Sequence, residues 1–352
     1  MNDENQNWPD EANRLPAISI RMRVGPGCMK RVLKDHSCFR ERNLMLEEVG
    51  SSLLIVPNPF DLFHVNGQNY IPAANSALSV RYDGPVMAKT QDFKDKWALV
   101  TGASAGIGVA LARELASHGA KLILTARRKD RLDALAKELE AGGTEVRTIV
   151  ADLNDPAAPQ QLYDATEGAG LTVDILVNNA GLGQYGAFQS NPIDQEISQI
   201  SVNCEAMVRL SRFFVPRMVR RRRGWVLVLA STASFQPVPY LTTYAATKAF
   251  DRFFALGLAA EVGRFGVKVT ALCPGPTESE FFEVARSESF LKGGRQSAEQ
   301  VAKIGVAALA RGQRTIVPYF GGRFTAVLTR FLPVGLITHF VEKMARPKTP
   351  LG

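Results

Sequence analysis

The sequence has 352 residues, of which 46% are hydrophobic and 22% are charged, and it carries a formal net charge of +8 at pH 7. This composition predicts a soluble, globular protein and excludes a disordered or fibrous chain. No stretch reaches the about 18 uninterrupted apolar residues of a membrane span, and the polar start, Met1–Glu11, lacks the apolar core of a secretory signal.

Cysteine usage indicates the redox environment. Cys28, Cys38, Cys204 and Cys273 are too few for a disulfide framework and form no C-x-x-C pair, so we expect reduced thiols and a cytoplasmic location. His36 lies near the first two cysteines, but no fourth ligand follows at a suitable spacing. We therefore predict no metal site.

The excess positive charge lies outside the first 86 residues. That segment has 9 Lys and Arg against 10 Asp and Glu, so the rest of the chain, with 33 against 24, holds the whole excess. Its one dense basic run, Arg220–Arg223, ends a predicted helix, where the helix dipole favours cations. We expect a solvated helix end and no nucleic-acid partner, with a nucleic-acid patch as the alternative.

Residues 1–86 show no sustained periodicity, and we predict an irregular, poorly ordered N-terminal extension rather than a second domain. Apolar clusters such as Leu53–Val56 and Phe60–Phe63 are short and interrupted by Pro, Asn and Gly. We expect a chain that begins at Met87 to fold and to work like the full chain. The alternative is that these clusters, with Tyr70–Ile71, cover the pocket of the following domain.

From Met87 onward, short apolar runs alternate with longer amphipathic ones, which is the pattern of βα units around a parallel sheet. Several amphipathic runs end at a glycine, as at Gly119, Gly142 and Gly266. Residues 87–352 are therefore predicted to form one α/β domain, a Rossmann-type, doubly wound, seven-stranded parallel sheet flanked by helices. The predicted strands are Trp97–Thr101, Lys121–Thr125, Glu145–Ala151, Asp174–Val177, Trp225–Ala230, Val267–Cys273 and Arg314–Val317.

A glycine-rich turn follows the first predicted strand. Residues Thr101–Gly108 read TGASAGIG and precede the amphipathic run Val109–His118. A turn of this kind lets backbone N–H groups approach a pyrophosphate, whose charge the helix N-terminus then stabilises. We expect a dinucleotide to be bound by Gly102, Ser104, Gly106, Ile107 and Gly108.

Tyr244 and Lys248 lie four residues apart at the start of a predicted helix and therefore share one face. Reduction of a carbonyl needs a proton donor for the oxygen, but a phenol with a pKa of about 10 ionises poorly at neutral pH. A nearby ammonium stabilises the phenolate and lowers that pKa. The pair is thus a candidate acid/base group, although a Tyr four residues before a Lys is also common on ordinary helices.

Taken with the spacing TGxxxGxG, these motifs resemble the short-chain dehydrogenase/reductase family over about Asp92 to Val317. The resemblance implies hydride transfer between a nicotinamide and a carbonyl or alcohol. It also implies that Ser231, thirteen residues before Tyr244, orients the substrate, with Ser234 as the weaker competitor. Asn203, in a predicted helix Ile197–Val219, matches the family's fourth catalytic residue, which maintains a water-linked proton relay through the lysine.

Further cofactor contacts follow from the same resemblance. It places the adenine beside Asp152 and Leu153 and the nicotinamide beside the Pro274–Thr277 loop, in which Thr277 holds the carboxamide. The implied contacts are Asp152, Leu153, Asn179, Ala180, Gly181, Tyr244, Lys248, Pro274, Gly275 and Thr277. A homodimer or homotetramer is also implied, built partly from the helices that begin near Ile193 and Tyr244.

The end of the second predicted strand favours NADP(H), with NAD(H) possible. Arg127 and Arg128 stand where NAD enzymes place a carboxylate for the ribose hydroxyls. A guanidinium can bind a 2′-phosphate with two parallel hydrogen bonds, and we assign this role to Arg127 with Arg128 as the second choice. Against this, both could be solvated helix-start residues, and Ala105 stands where many NADP-using members have a basic residue.

The substrate is expected to be a small carbonyl or alcohol compound, and an apolar one. Three segments are predicted to form its pocket, 183–188, 235–240 and 278–294, and they contribute Tyr185, Phe188, Phe235, Phe281 and Phe282. The same aromatics could be ordinary core packing, and a steroid-like ketone, an acyl chain, an aldehyde and a sugar derivative all stay open.

Two further alternatives remain. The tail Arg323–Met344 mixes apolar and basic residues, and it could cover the pocket, join a dimer contact or touch a membrane surface. Internal or oligomer packing is favoured. A catalytically silent regulator that senses NADP(H) is the main alternative function. Ser231, Tyr244 and Lys248 argue against it, because a pure sensor need not keep proton-transfer groups.

Overall fold

The computed structural model describes residues 93–278, 296–329 and 331–347, together with the backbone of two short strands near the N-terminus. The chain divides into two compact units, Met1–Tyr82 and Asp83–Gly352. In the first unit, β1 (Leu46–Val49) pairs antiparallel with β2 (Ser52–Ile55). Phe60–Phe63, Tyr70–Ile71, Cys28, His36, Cys38 and Met87 lie outside the described residues, so the expectations that rest on them stay predictions.

Seven parallel strands form the sheet of the second unit, in the order β5-β4-β3-β6-β7-β8-β9. The predicted α/β fold is thereby confirmed, and no predicted strand boundary is wrong by more than one residue. The strands are β3 (Trp97–Thr101), β4 (Lys121–Ala126), β5 (Val146–Val150), β6 (Ile175–Asn178), β7 (Gly224–Leu229), β8 (Val267–Leu272) and β9 (Thr315–Ile316).

Helices cover both faces of the sheet, so the central strands are buried on both sides. Every residue of β3 and β6 is buried, which is why these strands read as continuous apolar runs. The helices are α1 (Gly106–Ser117), α2 (Lys129–Ala141), α3 (Ala158–Asp164), α4 (Ile193–Ile200), α5 (Ala206–Arg221), α6 (Thr242–Val262), α7 (Ala298–Arg311), α8 (Phe320–Leu328) and α9 (Val334–Ala345). None of these described helices has both the length and the apolarity needed to cross a lipid bilayer.

Alternate residues of one strand divide the interior into two cores. Val100 packs into the cluster that contains Leu111 of α1 and Leu132 of α2. Leu99, its neighbour in β3, packs on the opposite face with Phe214 of α5. This alternation follows from the period of two along a strand and produces a three-layer domain.

The basic run Arg220–Arg223 closes α5 as an internally paired helix end. Arg221 forms an ion pair with Glu167 at 2.8 Å, and Arg223 pairs with Asp174 at 3.3 Å. These contacts use much of the run's charge within the protein itself. They favour the helix-end interpretation over a nucleic-acid patch.

The strand order reverses between β3 and β6, and at this point one side chain connects the ends of these two strands by hydrogen bonds. The buried Thr101 hydroxyl, at the end of β3, donates to the Val177 carbonyl at 3.0 Å. It also accepts hydrogen bonds from the backbone N–H groups of Asn179 and Ala180, each at 3.0 Å. In open α/β sheets the ligand-binding crevice lies at such a reversal, at the carboxyl ends of the strands.

We predict that Thr101→Val lowers the free energy of unfolding by about 2–4 kcal/mol, because two backbone N–H groups lose their buried acceptor. Thr101→Ser keeps the hydroxyl and should cost about 1 kcal/mol through the lost methyl group. Urea unfolding of the two variants measures the difference. Equal losses for Val and Ser would show that packing, and not hydrogen bonding, is what Thr101 provides.

Candidate active site

The glycine turn between β3 and α1 approaches the rest of the fold so closely that side chains are excluded. Gly102 and Gly106 have φ values of +66° and +54°, which favour glycine. A Cβ on Gly108 would lie 2.2 Å from the Gly102 carbonyl oxygen. Asn179 holds the turn from the other side, donating through Nδ2 to the Thr101 carbonyl at 2.7 Å.

The N-terminus of α1 retains its capacity to bind an anion. Its N-cap residue, Ala105, makes no side-chain capping hydrogen bond, and the first turn contains no acidic residue. The first backbone N–H groups of a helix have no partner within the helix, and its dipole favours negative charge there. The turn therefore fits the pyrophosphate of a dinucleotide.

A cavity of about 520 Å³ extends from the glycine turn to the ends of β6, β7 and β8. The residues expected to contact the cofactor come from sequence positions far apart, and all of them lie on its wall. They are Gly102, Ser104, Gly106, Ile107, Gly108, Arg127, Asp152, Leu153, Asn179, Ala180, Gly181, Tyr244, Lys248, Pro274, Gly275 and Thr277. The residues present thus fit a nicotinamide dinucleotide.

At the end of β4, the two arginines take different positions. The Arg128 guanidinium donates to the Ser104 hydroxyl, through Nη2 at 3.1 Å and through Nε at 3.2 Å, which fixes it over the glycine turn. Arg127 also lines the cavity, but its side chain is exposed. Both arginines line the cavity, and the tether of Arg128 to Ser104 is a feature that the sequence did not indicate.

Tyr244 and Ser231 meet at the opposite end of the cavity. Tyr244 lies in the first turn of α6 and is hydrogen-bonded to Ser231, which follows β7. Burial raises the pKa of the Tyr244 phenol, while Lys248 and the Ser231 hydrogen bond act in the lowering direction. The ammonium therefore acts on the phenol in the expected sense, but burial outweighs it in the protein alone. Ser234, the weaker candidate, is buried and does not line the cavity.

Lys248 is buried one helical turn after Tyr244, with its Nζ 5.9 Å from the centre of the tyrosine ring. Nζ donates to the Leu229 carbonyl at 2.8 Å and forms an ion pair with Asp251 at 2.9 Å. Burial lowers the pKa of Lys248, but Asp251 and Tyr244 outweigh burial and the net pKa is raised. Lys248 is thus held as an ammonium by a carboxylate that the sequence analysis did not single out.

Asn203 does not lie in a continuous α-helix, so the predicted helix Ile197–Val219 is wrong in its first half. A π-helical turn, Ser201–Glu205, separates α4 from α5 and carries the buried Asn203. Its amide accepts from the Leu182 N–H at 2.8 Å, and it donates to the Leu182 carbonyl and the Thr247 hydroxyl, each at 2.9 Å. A Cβ on Gly181 would meet both the Asn203 amide oxygen and the Lys248 ammonium at 3.4 Å. Asn203 therefore stands behind the cavity wall, beside the lysine.

The wall beside Tyr244 is apolar and includes part of the C-terminal tail. Val238 and Leu241 pack against Val341 of α9 in a cluster that also contacts Tyr244. Met344 of α9 lines the same cavity. One face of the tail is therefore packed internally.

Two tyrosines fix the position of α9. The Tyr185 hydroxyl donates to the Ala345 carbonyl at 2.6 Å, and the Tyr240 hydroxyl bonds to Glu342 at 2.9 Å. The distances show direct contacts at two points of the helix. They place the end of α9 against the segments that precede α6.

Among the described residues, none of the aromatic side chains expected to line the cavity does so. Tyr185 packs beside the apolar cluster. Phe188 is exposed. Phe235 packs under the Arg252 guanidinium, whose central carbon lies 4.4 Å from the centre of the phenyl ring. Neither side chain lines the cavity. Phe281 and Phe282 lie outside the described residues, as do the other residues between 279 and 295.

The chain is similar in sequence and in structure to known dehydrogenases and reductases. A family model for short chain dehydrogenases matches residues 96–289. Very-long-chain 3-oxoacyl-CoA reductase-B of Danio rerio is 39% identical over 186 residues, which are 51% of this chain and 58% of that protein. The chain thus spans less than two thirds of the length of this relative.

Two other matches cover more of the similar protein's own length. The 1-deoxy-11-beta-hydroxypentalenate dehydrogenase of Streptomyces avermitilis is 40% identical over 185 residues, or 52% of this chain and 68% of that protein. A solved short-chain dehydrogenase from Sphingobium yanoikuyae, in complex with NADPH, superposes with a TM-score of 0.62 at 29% identity. That match covers 72% of this chain and 98% of the solved one.

We predict that Gly108→Ala lowers the affinity for NADPH by roughly tenfold or more, because the added Cβ forces the turn away from its binding geometry. The matched control is Gly257→Ala, in the middle of α6, where an added Cβ meets no atom within 4 Å. The control should bind NADPH like the parent and melt at the same or a higher temperature. Calorimetric titration measures both affinities, and unchanged binding by Gly108→Ala would show that this turn does not hold the dinucleotide.

Proposed function

The chain belongs to the short-chain dehydrogenase family, and on that premise we propose that it is an NAD(P)-dependent oxidoreductase acting on a carbonyl or alcohol group. The observation that carries the proposal is the position of Ser231, Tyr244 and Lys248 on one cavity with the glycine turn. Binding groups for a dinucleotide and a proton-transfer group thus face the same space. The silent regulator finds no support in this arrangement.

The chain's own residues account for the proton chemistry. A bound nicotinamide dinucleotide supplies or accepts the hydride. Ser231 orients the carbonyl oxygen by hydrogen bonding, and the Tyr244 hydroxyl donates the proton that this oxygen needs as it becomes an alcohol. Lys248, held as an ammonium, stabilises the phenolate that remains, and Asn203 fixes the Leu182 segment beside it. In the oxidation direction the Tyr244 phenolate accepts the proton instead.

We propose that NADP(H) is the preferred cofactor, with NAD(H) as the weaker one. Two arginines and no carboxylate stand at the end of β4, and Arg128 is already fixed over the glycine turn through Ser104. A carboxylate at this position would repel a 2′-phosphate, whereas a guanidinium pairs with it. The solved relative that contains NADPH is consistent with this preference.

For the substrate, we propose a ketone on an apolar carbon skeleton, with a 3-oxoacyl thioester as the first compound class to test. Val238, Leu241, Val341 and Met344 give the wall beside Tyr244 its apolar character. One relative acts, by its name, on very-long-chain 3-oxoacyl-CoA, whose acyl chain is hydrocarbon, and another acts on 1-deoxy-11-beta-hydroxypentalenate. An apolar wall recognises such chains by burial of hydrocarbon surface.

A homodimer or homotetramer is proposed as the assembly. Exposed apolar side chains occur on both helices expected to form it, with Ile193 and Ile197 on α4 and Phe250 and Phe253 on α6. Exposed apolar patches of this kind are typical of protein contacts. The cytoplasmic location remains a prediction from cysteine usage.

The proposed activity is tested with apolar ketones and 3-oxoacyl thioesters, by following absorbance of the reduced nicotinamide. We predict that Tyr244→Phe lowers kcat at least about a hundredfold, because the proton donor is lost, and changes the Kd for NADPH only a few-fold. Tyr163→Phe is the control, since that hydroxyl contacts Arg217 away from the cavity and does not line it. Parent-like turnover by the Tyr244→Phe enzyme would exclude the assigned role.

A second set of variants tests the cofactor preference. We predict that Arg127→Asp raises the KM for NADPH about tenfold or more and lowers the KM for NADH, because a carboxylate replaces the phosphate-binding group. Arg128→Ala separates the contribution of the tethered arginine. Lys129→Ala removes the same charge from an exposed position that does not line the cavity, and should leave both constants unchanged. Equal parent affinity for both cofactors contradicts the proposed preference.

A further inference from the structure

A buried carboxylate lies against the catalytic lysine. Asp251 and Lys248 are three residues apart on α6, and their side chains are only 2% and 4% exposed. The carboxylate oxygen Oδ2 is 2.9 Å from Nζ. A buried ion pair gains little stability over apolar packing, so its presence beside a proton-transfer group calls for an electrostatic explanation.

The contacts of Asp251 point toward the lysine alone. Its second oxygen, Oδ1, is buried and makes no hydrogen bond among the described residues. A carboxylate held only to fix local structure would be expected to have both oxygens satisfied. Burial raises the pKa of Asp251, and the Lys248 ammonium opposes that rise.

Four titratable groups act on Asp251 or are acted on by it. Lys248 and Tyr244 belong to α6, Cys204 comes from the π-helical turn, and Cys273 follows β8. Burial raises the pKa of each thiol to about 12, so both cysteines stay neutral over the working range. Asp251 therefore affects the protonation of Lys248 and Tyr244, and not that of the two cysteines.

We propose that Asp251 is a positioning residue that holds Lys248 as an ammonium, offsets its charge, and thereby keeps Tyr244 in the phenol form that donates a proton. The inference rests on the proposed function and deepens it, since it assigns the site a bias toward carbonyl reduction. Lys248 still stabilises the Tyr244 phenolate, but the Lys248–Asp251 ion pair as a whole has a net charge near zero. Asp251 acts through Lys248 and does not touch the substrate.

The sign of the effect follows from the charges. Asp251→Asn keeps the shape and an oxygen that accepts from Nζ, but removes one buried negative charge. The first proton lost from the coupled Lys248 and Tyr244 pair then leaves at lower pH, whichever of the two groups loses it. Reduction needs both the phenol as proton donor and the ammonium that stabilises the phenolate, so it loses rate whichever of the two protons leaves. The alkaline limb of its pH–rate profile therefore moves to lower pH, by about one pH unit or more.

The experiment compares pH profiles of kcat for ketone reduction in the parent, Asp251→Asn and Asp251→Glu. We expect the Asn variant to shift the alkaline limb downward and the Glu variant, which keeps the charge, to stay within a few tenths of a pH unit of the parent. Asp174→Asn is the matched control, because it also removes a buried carboxylate from an ion pair, with Arg223. The Asp174→Asn control should lose stability without a shift in the alkaline limb of its pH profile of kcat.

A second measurement needs no turnover and separates this inference from the proposed activity. Phenolate absorbance is titrated in the parent and in Asp251→Asn, and in each case the signal of the corresponding Tyr244→Phe protein is subtracted. A lower midpoint for Tyr244 in the Asn variant supports the inference even if no substrate is found. If Asp251→Asn does not fold, the smaller Asp251→Ser is titrated in its place.

The inference is overturned by two results. One is a folded Asp251→Asn protein in which both the alkaline limb of the pH profile and the titration midpoint of Tyr244 are unchanged. The other is a shift of equal size in Asp174→Asn, which would trace the effect to general destabilisation. A parent enzyme that turns over no carbonyl in the presence of either cofactor counts against the proposed function, and the absorbance titration still decides the role of Asp251.

Discussion

The close approach of the glycine turn to the end of β6 is the constraint on which the site depends. Gly108 lies against the Gly102 carbonyl, and the Thr101 hydroxyl and the Asn179 amide join the two strand ends by short hydrogen bonds. Because no side chain fits between these backbones, the N-terminus of α1 and the end of β6 face one crevice. The glycine turn and the loop after β6, whose Gly181 lies beside Lys248, are thus joined by direct contacts.

A second constraint is the balance of charge inside the domain. The site places a buried ammonium, a buried carboxylate and a partly buried phenol within two turns of α6, where the low dielectric makes each charge act strongly on the others. Burial alone would neutralise Lys248 and keep Tyr244 protonated. The observed pairing keeps Lys248 charged, and so the proton-transfer group retains an electrostatic partner without exposure to water.

The sequence predicts those features that local chemistry determines. The central strands β3 and β6 are recognised within one residue because both of their faces are buried, and the glycine turn is recognised because its backbone geometry excludes side chains. The π-helical turn at Asn203 has no comparable signal, since Ser201–Glu205 contains neither Gly nor Pro. Asp251 three residues after Lys248 reads as an ordinary surface pair of a helix, and only tertiary packing buries it.

Long sequence separation explains what the sequence left open or did not indicate. Val341 and Met344 approach Tyr244 across about a hundred residues of chain, so the sequence could offer pocket cover only as one of three roles for the tail. The tether between Arg128 and Ser104 likewise joins two different loops. Contacts of this kind depend on how the helices are placed against the sheet, which periodicity alone does not specify.

The position of α9 has a consequence for how such a protein can diverge. The family model ends at residue 289, whereas the helix that completes the apolar wall begins at Val334. The proton-transfer groups and the part of the wall that α9 contributes are therefore encoded in separate stretches of the gene, although Val238 and Leu241 of the same wall lie between Ser231 and Tyr244. Mutation or recombination in the last stretch can alter which molecules enter while the ancestral hydride chemistry is inherited intact.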